Sequence, residues 1–379
     1  MNSRILLITK NFPPMVGGME RLMGETCRLL TQYYIIDLVI PLKSQVNTEA
    51  VGRIIECRLK PLPVFIFSAL IKTLVHVSKY RPAICMAGSG VTAPVVVIIS
   101  RLFKLKSVIY VHGLDLIYPN WIYQKMFVPF IRMADRVIAN SENTSNLAVN
   151  KGVQVQRIRV LNPGTSIPTY INEQTGGYRI DHILGDLSKD KIILSFGRLV
   201  PRKGIREFLQ YAFPSVRDQH PDVLFVIAGP SDQKYADIQK KLEDLIVQNN
   251  WQENVLLAGK LDDEDLSKLL GITKVFVFPI IDIPGDVEGF GMVAIEAASY
   301  GVPTVAFRVG GVTDAISHGK SGYLIDPSDY NAMSESINKI LANQLNNISK
   351  ETCRNYAKEF SWEKYGEHLK NILDEIIEQ

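Results

Sequence analysis

The sequence alternates short apolar runs with longer stretches of helical periodicity, and this alternation limits the possible fold more than any other feature. Near-continuous apolar strands separated by helices are typical of parallel sheets that helices cover on both faces. The runs form two series, which a stretch rich in Gly, Pro, Thr and Asn at 162–177 separates. The chain has 379 residues, which accommodates two domains of roughly 100–200 residues each. The sequence therefore predicts an α/β protein of two doubly wound parallel-sheet domains that face each other across a cleft.

The apolar runs predict thirteen strands. Seven lie in the first series: Arg4–Thr9, Ile35–Ile40, Ile54–Arg58, Ile84–Met86, Ser107–Val111, Arg136–Ala139 and Ile158–Val160. Six lie in the second series: Lys191–Phe196, Val223–Ala228, Val255–Ala258, Val275–Phe278, Thr304–Phe307 and Gly322–Ile325. Helices are predicted in the first series at Glu20–Gln32, Phe67–Lys79, Val91–Phe103 and Ser141–Asn150. Because such sheets bind ligands beyond the carboxyl ends of their strands, we expect functional residues just after the strands.

Charge divides unevenly along the chain. Residues 1–165 contain 20 Lys and Arg against 8 Asp and Glu, whereas the remainder contains 22 against 31. A basic half indicates contact with a polyanion, either a nucleic acid or an anionic membrane. Apolar and aromatic residues interleave with the basic ones at 61–67, 101–106 and 121–132, which favours an interfacial membrane surface over a nucleic-acid groove. The alternative is a set of amphipathic helices whose basic faces are only solvated.

Composition indicates a globular protein of a reducing compartment. Hydrophobic residues make up 46% of the chain, and the four cysteines form no C-x-x-C pair; this argues against a disulfide scaffold or a structural zinc site. The first residues lack the pattern of a secretory signal. The longest uninterrupted apolar candidate, Val91–Ser100, is too short to span a bilayer. We expect a cytoplasmic protein with peripheral contact at the inner face of the cell membrane.

Two motifs of the first series follow strands. Gly17-Gly18 precedes a predicted helix, where paired glycines let backbone amides approach an anion and the helix N-terminus adds a favourable dipole. A tight strand-to-helix turn is the other interpretation. His112 follows the fifth strand, where an imidazole is placed to make a polar contact or to handle a proton, although a structural role stays open.

A loop of the second series concentrates positive charge. Its first strand ends in a segment that carries Arg198, Arg202 and Lys203 between Gly197 and Gly204. Cations at this density suit a diphosphate, because Arg clamps oxygens bidentately and Lys supplies a compact charge. A solvated basic loop is the alternative interpretation.

Two carboxylates stand eight positions apart in the segment 286–297. Glu288 lies in a glycine-rich loop, and Glu296 lies inside a predicted helix. If that helix begins near Gly291, its free amides bind phosphate while Glu288 reaches a sugar. Glu296 is then placed to accept hydrogen bonds from vicinal ribose hydroxyls. A nucleotide-sugar needs these three recognitions, so the segment indicates a donor site of that class.

Together these residues resemble the GT-B glycosyltransferases, specifically the large retaining family that includes the phosphatidylinositol mannosyltransferases and many bacterial polysaccharide glycosyltransferases. Further matching motifs extend the resemblance over nearly the whole chain: Asn162-Pro163-Gly164, Ala228-Gly229, Gly259, Gly301-Val302-Pro303, Gly310-Gly311 and Phe360-Ser361-Trp362. The resemblance implies an N-terminal acceptor-binding domain at 1–165 plus 362–379, which includes a C-terminal crossover helix. It implies a nucleotide-sugar-binding domain at 166–361.

The resemblance also implies roles for individual residues. Arg198 and Lys203 neutralise the donor diphosphate, and Glu288 holds hydroxyls of the transferred sugar. Glu296 holds the ribose, and His112 lies beside the reacting sugar. The implied donor-binding set further comprises Gly17, Gly18, Gly197, the backbone of Lys260 and Leu261 against the base, and the amides of Phe290, Gly291, Met292 and Val293.

The implied activity is that of a metal-independent hexosyltransferase that retains the anomeric configuration. Its main catalytic contribution is charge stabilisation of the leaving diphosphate. The segments 286–289 and 201–204 resemble the mannosyltransferase branch, so we expect GDP-linked mannose or D-rhamnose as donor, with a UDP-sugar as the alternative. The expected acceptor is lipid-linked or a polysaccharide of the bacterial cell surface, such as lipopolysaccharide. No metal or cofactor is expected, because the string Asp263-Glu264-Asp265 is typical of a helix N-terminus.

Other interpretations remain. Gly88-Ser89-Gly90 with Ala93 fits the fingerprint of a dehydrogenase, but it follows the fourth strand rather than the first. A GT-B epimerase or phosphorylase and a non-catalytic nucleotide-sugar sensor are two more. The chain departs from many relatives at Leu114-Asp115, where those carry Glu or His, so the role of Asp115 is only suspected.

Overall fold

The computed structural model describes residues 3–46, 51–169, 178–185, 190–231, 235, 237–344 and 347–378. The chain forms two compact units. Unit 1 comprises Met1–Gly164, Gly285–Phe290 and Ser361–Gln379, and unit 2 comprises Thr165–Pro284 and Gly291–Phe360. Half of the predicted connecting stretch, at 170–177, lies outside the described residues.

The described part of unit 1 contains a parallel sheet of seven strands. The strands are β1 (Arg4–Ile8), β2 (Ile35–Pro41), β3 (Val51–Cys57), β4 (Ile84–Ala87), β5 (Lys106–Val111), β6 (Arg136–Ala139) and β7 (Ile158–Val160). Their order in the sheet is β3-β2-β1-β4-β5-β6-β7. The helices are α1 (Gly18–Leu30), α2 (Leu62–Tyr80), α3 (Ala93–Phe103), α4 (Leu114–Ile117), α5 (Trp121–Met126), α6 (Val128–Met133) and α7 (Glu142–Asn150).

Unit 2 repeats the architecture with six parallel strands among its described residues. They are β8 (Lys191–Phe196), β9 (Val223–Ala228), β10 (Val255–Gly259), β11 (Thr273–Phe278), β12 (Thr304–Phe307) and β13 (Gly322–Ile325), in the order β10-β9-β8-β11-β12-β13. The helices are α8 (Tyr178–Leu184), α9 (Ile205–Tyr211), α10 (Phe213–Gln219), α11 (Asp237–Gln248), α12 (Asp263–Ile272), α13 (Met292–Ser299), α14 (Val312–Ala315), α15 (Tyr330–Leu341) and α16 (Lys350–Lys358).

Every predicted strand is present, which confirms the two doubly wound sheets. The strands are apolar on both faces because helices cover both; Ile5 to Ile8 of β1, for example, are fully buried. In unit 1 the strand order reverses direction between β1 and β4, and in unit 2 between β8 and β11. Sheets of this kind bind ligands outside the carboxyl ends of the strands at such a switch point. The loops after these four strands are therefore the expected positions of ligand-binding residues.

A final helix, α17 (Trp362–Ile377), packs within unit 1. Gly164 leaves no room for a side chain because a Cβ there would collide with the indole of Trp362. The hydroxyls of Tyr365 and Thr26 are 2.7 Å apart, which ties α17 to α1. The C-terminal helix is thus an integral part of the core of unit 1.

Helix α2 differs from its prediction in length and character. It begins at Leu62 rather than at Phe67, because Pro61 and Pro63 fit the first turn, where a missing N–H costs no hydrogen bond. Over its 19 residues it is long and apolar enough to cross a membrane, and only 28% of its most apolar window is buried. Lys72, His76 and Lys79 interrupt this helix, so a search for uninterrupted apolar runs in the sequence does not single it out.

Candidate functional site

The loop after β8 folds the Lys203 side chain inward. Gly197 and Gly204 adopt φ angles of 130° and 64°, which L-residues rarely adopt. A Cβ on Gly204 would collide with the carbonyl oxygen of Pro279, so the loop lies directly against the chain that leaves β11. The backbone N–H of Ile281 donates to the carbonyl of Arg202 at 2.9 Å, which closes the loop onto that segment.

Lys203 and the N-terminus of α13 meet at the ring of Phe278. Lys203 is only 9% exposed, and its Nζ lies 4.5 Å from the centroid of the Phe278 ring. On the same ring, Phe278 Cε1 lies 3.0 Å from the position of a Cβ on Gly291, the N-cap residue of α13. A lysine ammonium and a helix N-terminus both carry positive potential. Their convergence at the switch point of unit 2 suits an anionic ligand.

Helix α13 supplies this end without an acidic residue in its first turn. Gly291 caps it at φ 99°, and Ala294 and Ile295 are buried. The amides of the first turn have no partner within an α-helix, so they are the groups that bind anions at helix N-termini. Glu296 follows in the second turn and is half-buried. The predicted helix start near Gly291 is confirmed.

The remaining residues predicted for unit 2 lie along the same edge of its sheet. Arg198 is exposed in the loop after β8, and Lys260 and Leu261 follow β10 directly. Gly229, after β9, donates its N–H to the carbonyl of Gly259 at 2.7 Å. A Cβ on Gly229 would collide with the backbone of Gly197, so the ends of β8, β9 and β10 are closely joined. The structure therefore gathers these predicted positions at the carboxyl edge of one sheet.

The corresponding helix end in unit 1 has a different electrostatic character. Gly17 is the N-cap residue of α1, and the carboxylate of Glu20 folds back against it. Asn11 Nδ2 donates to Glu20 Oε1 at 2.6 Å, which holds the carboxylate in place. A carboxylate stabilises a helix N-terminus but repels a second anion there. A phosphate at the predicted Gly17 and Gly18 site has to overcome this charge.

His112 is buried at the carboxyl end of β5 and is held on several sides. Its Nε2 lies 2.9 Å from the carbonyl oxygen of Gly88, so the neutral ring carries its proton on Nε2 and keeps Nδ1 as the acceptor. Its backbone N–H donates to Asp115 Oδ2 at 3.0 Å, which gives the suspected residue Asp115 a positioning contact. The ring stacks on Tyr110 at 5.0 Å between centroids. This fixes both the orientation and the tautomer of the imidazole.

The segment that carries Glu288 packs in unit 1 beside His112. The sequence-based division assigned this segment to the second domain, whereas the structure groups Gly285–Phe290 with unit 1. A Cβ on Gly289 would lie 2.5 Å from the carbonyl oxygen of His112 and 2.8 Å from Asn140 Nδ2. Only glycine permits this approach. The structure thus brings two of the predicted motifs, His112-Gly113 and Glu288-Gly289, into contact.

Three polar residues at the same edge of unit 1 were missed by the sequence analysis. Asn11, Ser89 and Asn140 follow β1, β4 and β6 and are at most 6% exposed. Asn11 Oδ1, Ser89 Oγ and Asn140 Oδ1 accept or donate no hydrogen bond within the described part of the chain. Buried polar atoms of this kind are costly unless a ligand or water satisfies them. They are buried polar positions at the carboxyl edge of unit 1 that a hydroxyl group or a water molecule would satisfy.

The dehydrogenase fingerprint has a packing explanation. A Cβ on Gly88 would lie 2.6 Å from Thr9 Oγ1, and one on Gly90 would lie 2.7 Å from the hydroxyl of Tyr123. Both glycines are therefore required for close packing around β4. Burial and the nearby charge of Asp115 raise the pKa of Tyr123 well above its usual range, so this phenol stays protonated.

The acidic string after β10 is structural. Asp262 caps α12 and accepts from the backbone N–H of Asp265 at 2.8 Å. Asp265 Oδ1 accepts from the N–H of Ile180 at 3.0 Å. The prediction that this string opens a helix is confirmed. Within the described ranges, no group of three or more His, Cys, Asp or Glu residues has the arrangement of a metal site.

Comparison with known proteins assigns the class. Residues 16–167 match the model of Glycosyltransferase Family 4, and residues 179–360 match the model of Glycosyl transferases group 1. The structure superposes on that of Anabaena HepE in complex with UDP with a TM-score of 0.80 at 18% identity, covering 98% of this chain and 100% of that one. The two sheets and the loops at their switch points are those of a GT-B protein, and the chain belongs to the GT-B glycosyltransferases.

Two curated relatives are glycosyltransferases with a named specificity. One is a GDP-mannose-dependent monoacylated alpha-(1-6)-phosphatidylinositol monomannoside mannosyltransferase of Corynebacterium glutamicum, 31% identical over 50% of this chain and 49% of the relative. The other is a D-inositol 3-phosphate glycosyltransferase of Corynebacterium jeikeium, 28% identical over 64% of this chain and 58% of the relative. The chain thus spans about half the length of the curated relatives it matches.

Proposed function

We propose that this protein is a retaining hexosyltransferase that moves mannose or D-rhamnose from a GDP-sugar to a lipid-linked or polysaccharide acceptor. Unit 2 binds the donor and unit 1 binds the acceptor. The reaction belongs to bacterial cell-surface glycan synthesis, of which lipopolysaccharide is one product class. The enzyme works in the cytoplasm at the inner face of the cell membrane and needs no metal or other cofactor.

One observation carries the proposal: the Lys203 ammonium and the N-terminus of α13 converge on Phe278 at the switch point of unit 2. Breaking the bond between sugar and diphosphate leaves negative charge on the phosphate oxygens. Lys203, Arg198 and the amides of Gly291 to Val293 stabilise that charge without reorganisation, because the loop and the helix are already formed. In a partly desolvated site this stabilisation is stronger than it is in water.

Glu288, Glu296 and His112 complete the proposed machinery. Glu296, in the second turn of α13, binds the ribose, and Lys260 with Leu261 frames the base. Glu288 holds hydroxyls of the transferred hexose, while Phe290 and Met292 contribute backbone. His112 lies beside the reacting sugar; its ring contacts the carbonyl of Gly88, and its backbone N–H donates to Asp115. The departing phosphate oxygen helps to take the acceptor proton, so the new bond forms on the face that the nucleotide leaves.

The acceptor surface is proposed from the polar edge of unit 1. Asn11, Ser89 and Asn140 offer hydroxyl-binding atoms that no described residue satisfies. Sugar or inositol hydroxyls supply the matching donors and acceptors. This chemistry agrees with the inositol-containing acceptors in the names of the two curated relatives.

The donor base is tested by thermal denaturation with GDP, UDP, ADP and their sugars. A ligand that binds only the folded protein raises the melting temperature by mass action. We expect a larger rise with GDP than with UDP, which Glu296→Ala abolishes and the exposed control Glu335→Ala preserves. A larger rise with UDP favours the UDP-sugar alternative, for which the UDP bound to HepE is the supporting observation. Equal shifts with all nucleotides contradict the donor assignment.

Catalysis is tested separately from binding. Incubation with the preferred nucleotide-sugar and an acceptor extract is expected to release free nucleotide, and nuclear magnetic resonance of the product is expected to show the donor's anomeric configuration. Binding without transfer or hydrolysis under any acceptor condition supports the alternative of a nucleotide-sugar sensor. An inverted product contradicts the retaining mechanism.

A further inference from the structure

Helix α2 presents an apolar stripe to solvent. Phe67, Ile71, Leu74 and Val75 recur at helical spacing, and Phe67 and Val75 are 65% and 66% exposed. Helix α3 packs beside α2, and its last turns expose Ile98 and Leu102. The six residues are called here the apolar face: Phe67, Ile71, Leu74, Val75, Ile98 and Leu102.

The opposite side of α2 is fixed in unit 1. Phe65 is fully buried in the core. His76 Nε2 lies 2.7 Å from Oδ2 of the fully buried Asp37, which also accepts two hydrogen bonds from Arg4 at 2.7 and 2.8 Å. To span a membrane, α2 would have to abandon this network and leave the Asp37 carboxylate with one partner fewer. Such a loss is strongly destabilising. The helix is therefore built to lie flat against a surface rather than to cross it.

The chain around the apolar face carries charge of one sign. Between Glu56 and Asp115 the sequence contains eight Lys and Arg residues and no Asp or Glu. Lys79 near the end of α2, and Arg101 and Lys104 at the end of α3, are exposed. Apolar side chains interleaved with cations and without acids are complementary to the anionic surface of a lipid bilayer.

The same charges argue against a second copy as the occupant of the face. Pairing through a two-fold axis places each patch against itself. Arg101 and Lys104 of one copy would then approach the same cations of the other, with no acidic residue in the segment to compensate. An anionic bilayer satisfies the apolar and the basic groups together.

We infer that the apolar face docks this protein on anionic membranes, with α2 in the plane of the interface and Phe67, Ile71 and Leu102 at the boundary of headgroups and acyl chains. The adjoining Lys and Arg residues contact lipid phosphates. This inference rests on the proposed location at the inner face of the membrane and assigns the surface that makes the contact. It does not depend on the transfer reaction, because docking requires neither donor nor acceptor.

Flotation with vesicles tests the docking. The full chain is incubated with phosphatidylcholine vesicles that contain or lack phosphatidylglycerol. We expect flotation only with phosphatidylglycerol, and release when salt rises from about 0.1 M to about 1 M, since the screening length falls from about 10 to about 3 Å. A carbonate wash is expected to release the protein. Equal binding to neutral vesicles without a salt effect, or retention through the wash, overturns the inference.

Variants locate the surface. Phe67→Ser with Val75→Ser is expected to lower the vesicle partition coefficient by about tenfold or more, because two apolar side chains lose their burial in lipid. The matched control, Val155→Ser with Val247→Ser, removes side chains that are 62% and 60% exposed elsewhere and is expected to have no effect. Arg101→Gln with Lys104→Gln is expected to cost about tenfold on anionic vesicles alone.

Two results decide against the surface. Equal losses in the apolar and control pairs overturn it. A second contrary result concerns the oligomeric state, measured by light scattering. If the wild type is a dimer, Phe67→Ser with Val75→Ser makes it a monomer, and neither form binds vesicles, then the apolar face is a dimer interface and the inference is overturned. An unchanged melting temperature without nucleotide in each variant shows that the fold is intact. If nucleotide binding fails in the wild type while flotation succeeds, the proposed function falls and the docking stands.

Discussion

The two units share one architecture, yet their carboxyl edges carry different chemistry. In unit 2 the helix end after β11 has no acidic residue in its first turn, and a buried lysine lies beside it. In unit 1 the helix end after β1 is already covered by the Glu20 carboxylate. The neighbouring strand ends of unit 1 instead present buried amide and hydroxyl atoms. The comparison teaches that the switch point supplies only a location, and that side chains decide which chemistry each edge presents to a ligand.

Removal of the Lys203 ammonium is expected to change the activity more than any other substitution at the two edges. Lys203→Met keeps the aliphatic stem and removes the ammonium, so we expect kcat to fall by about 10²–10³, the usual cost of losing one preorganised charge-stabilising group. Lys274→Met is the control, since Lys274 is exposed at the amino end of β11, the strand that ends in Phe278. Steady-state release of nucleotide measures both. Equal rates in the two variants contradict the role of Lys203.

A second test concerns the backbone that supports the unit 2 edge. Gly229→Ala places a Cβ against the carbonyl of Gly197 at φ 147°, and we expect a loss of about 3 kcal/mol in unfolding free energy. Gly259→Ala is matched in position but meets no atom within 4 Å at φ 64°. Its expected loss is about 1–2 kcal/mol, from backbone strain alone. Denaturant unfolding measures the difference, and equal losses refute the close joining of β8 and β9.

The unit 1 edge is tested through its buried amides. Asn140→Ala is expected to raise the acceptor KM about tenfold, since one hydrogen bond to substrate is lost, and to leave the donor KM unchanged. Asn338→Ala is the control, because Asn338 of α15 is also buried and makes no side-chain hydrogen bond in the described part of the chain. A rise in the donor KM of Asn140→Ala contradicts the assignment of this residue to acceptor binding.

Glu20→Gln tests whether the N-terminus of α1 takes part in binding the diphosphate. If the diphosphate binds in unit 2 alone, Glu20→Gln changes nucleotide affinity by less than about twofold, because the α1 end then holds no phosphate. If Gly18 contacts a donor phosphate, removal of the Glu20 charge tightens binding severalfold. Calorimetric titration separates the two outcomes, and Glu25→Gln, on the same helix, serves as control.

The sequence predicted the strands because burial on both faces leaves each one as a short apolar run. It predicted the start of α13 because a glycine that ends a loop and begins an apolar helix is a local signal. It placed the start of α2 five residues late, at Phe67 rather than Leu62, because the two prolines at the true start are typical both of loops and of first helical turns.

Contacts distant in sequence escaped prediction. Gly289 lies against His112 although the chain between them contains most of unit 2, and no local pattern encodes such a pairing. Asn11, Ser89 and Asn140 form no motif by spacing. They come to one edge of the sheet only because the strand order places β1, β4, β5 and β6 side by side.

The central claim is that unit 2 binds the diphosphate of the donor. It is tested most directly by comparing the affinities for a nucleoside diphosphate and for its nucleoside. Affinities for GDP and guanosine, and for UDP and uridine, are measured by calorimetry in the wild type, Lys203→Met and Lys274→Met. The preference for the preferred diphosphate over its nucleoside is expected to fall about tenfold or more in Lys203→Met, as a charge-assisted hydrogen bond is worth about 1.5–3 kcal/mol. It is expected to stay unchanged in Lys274→Met. A preference that Lys203→Met leaves intact contradicts the account.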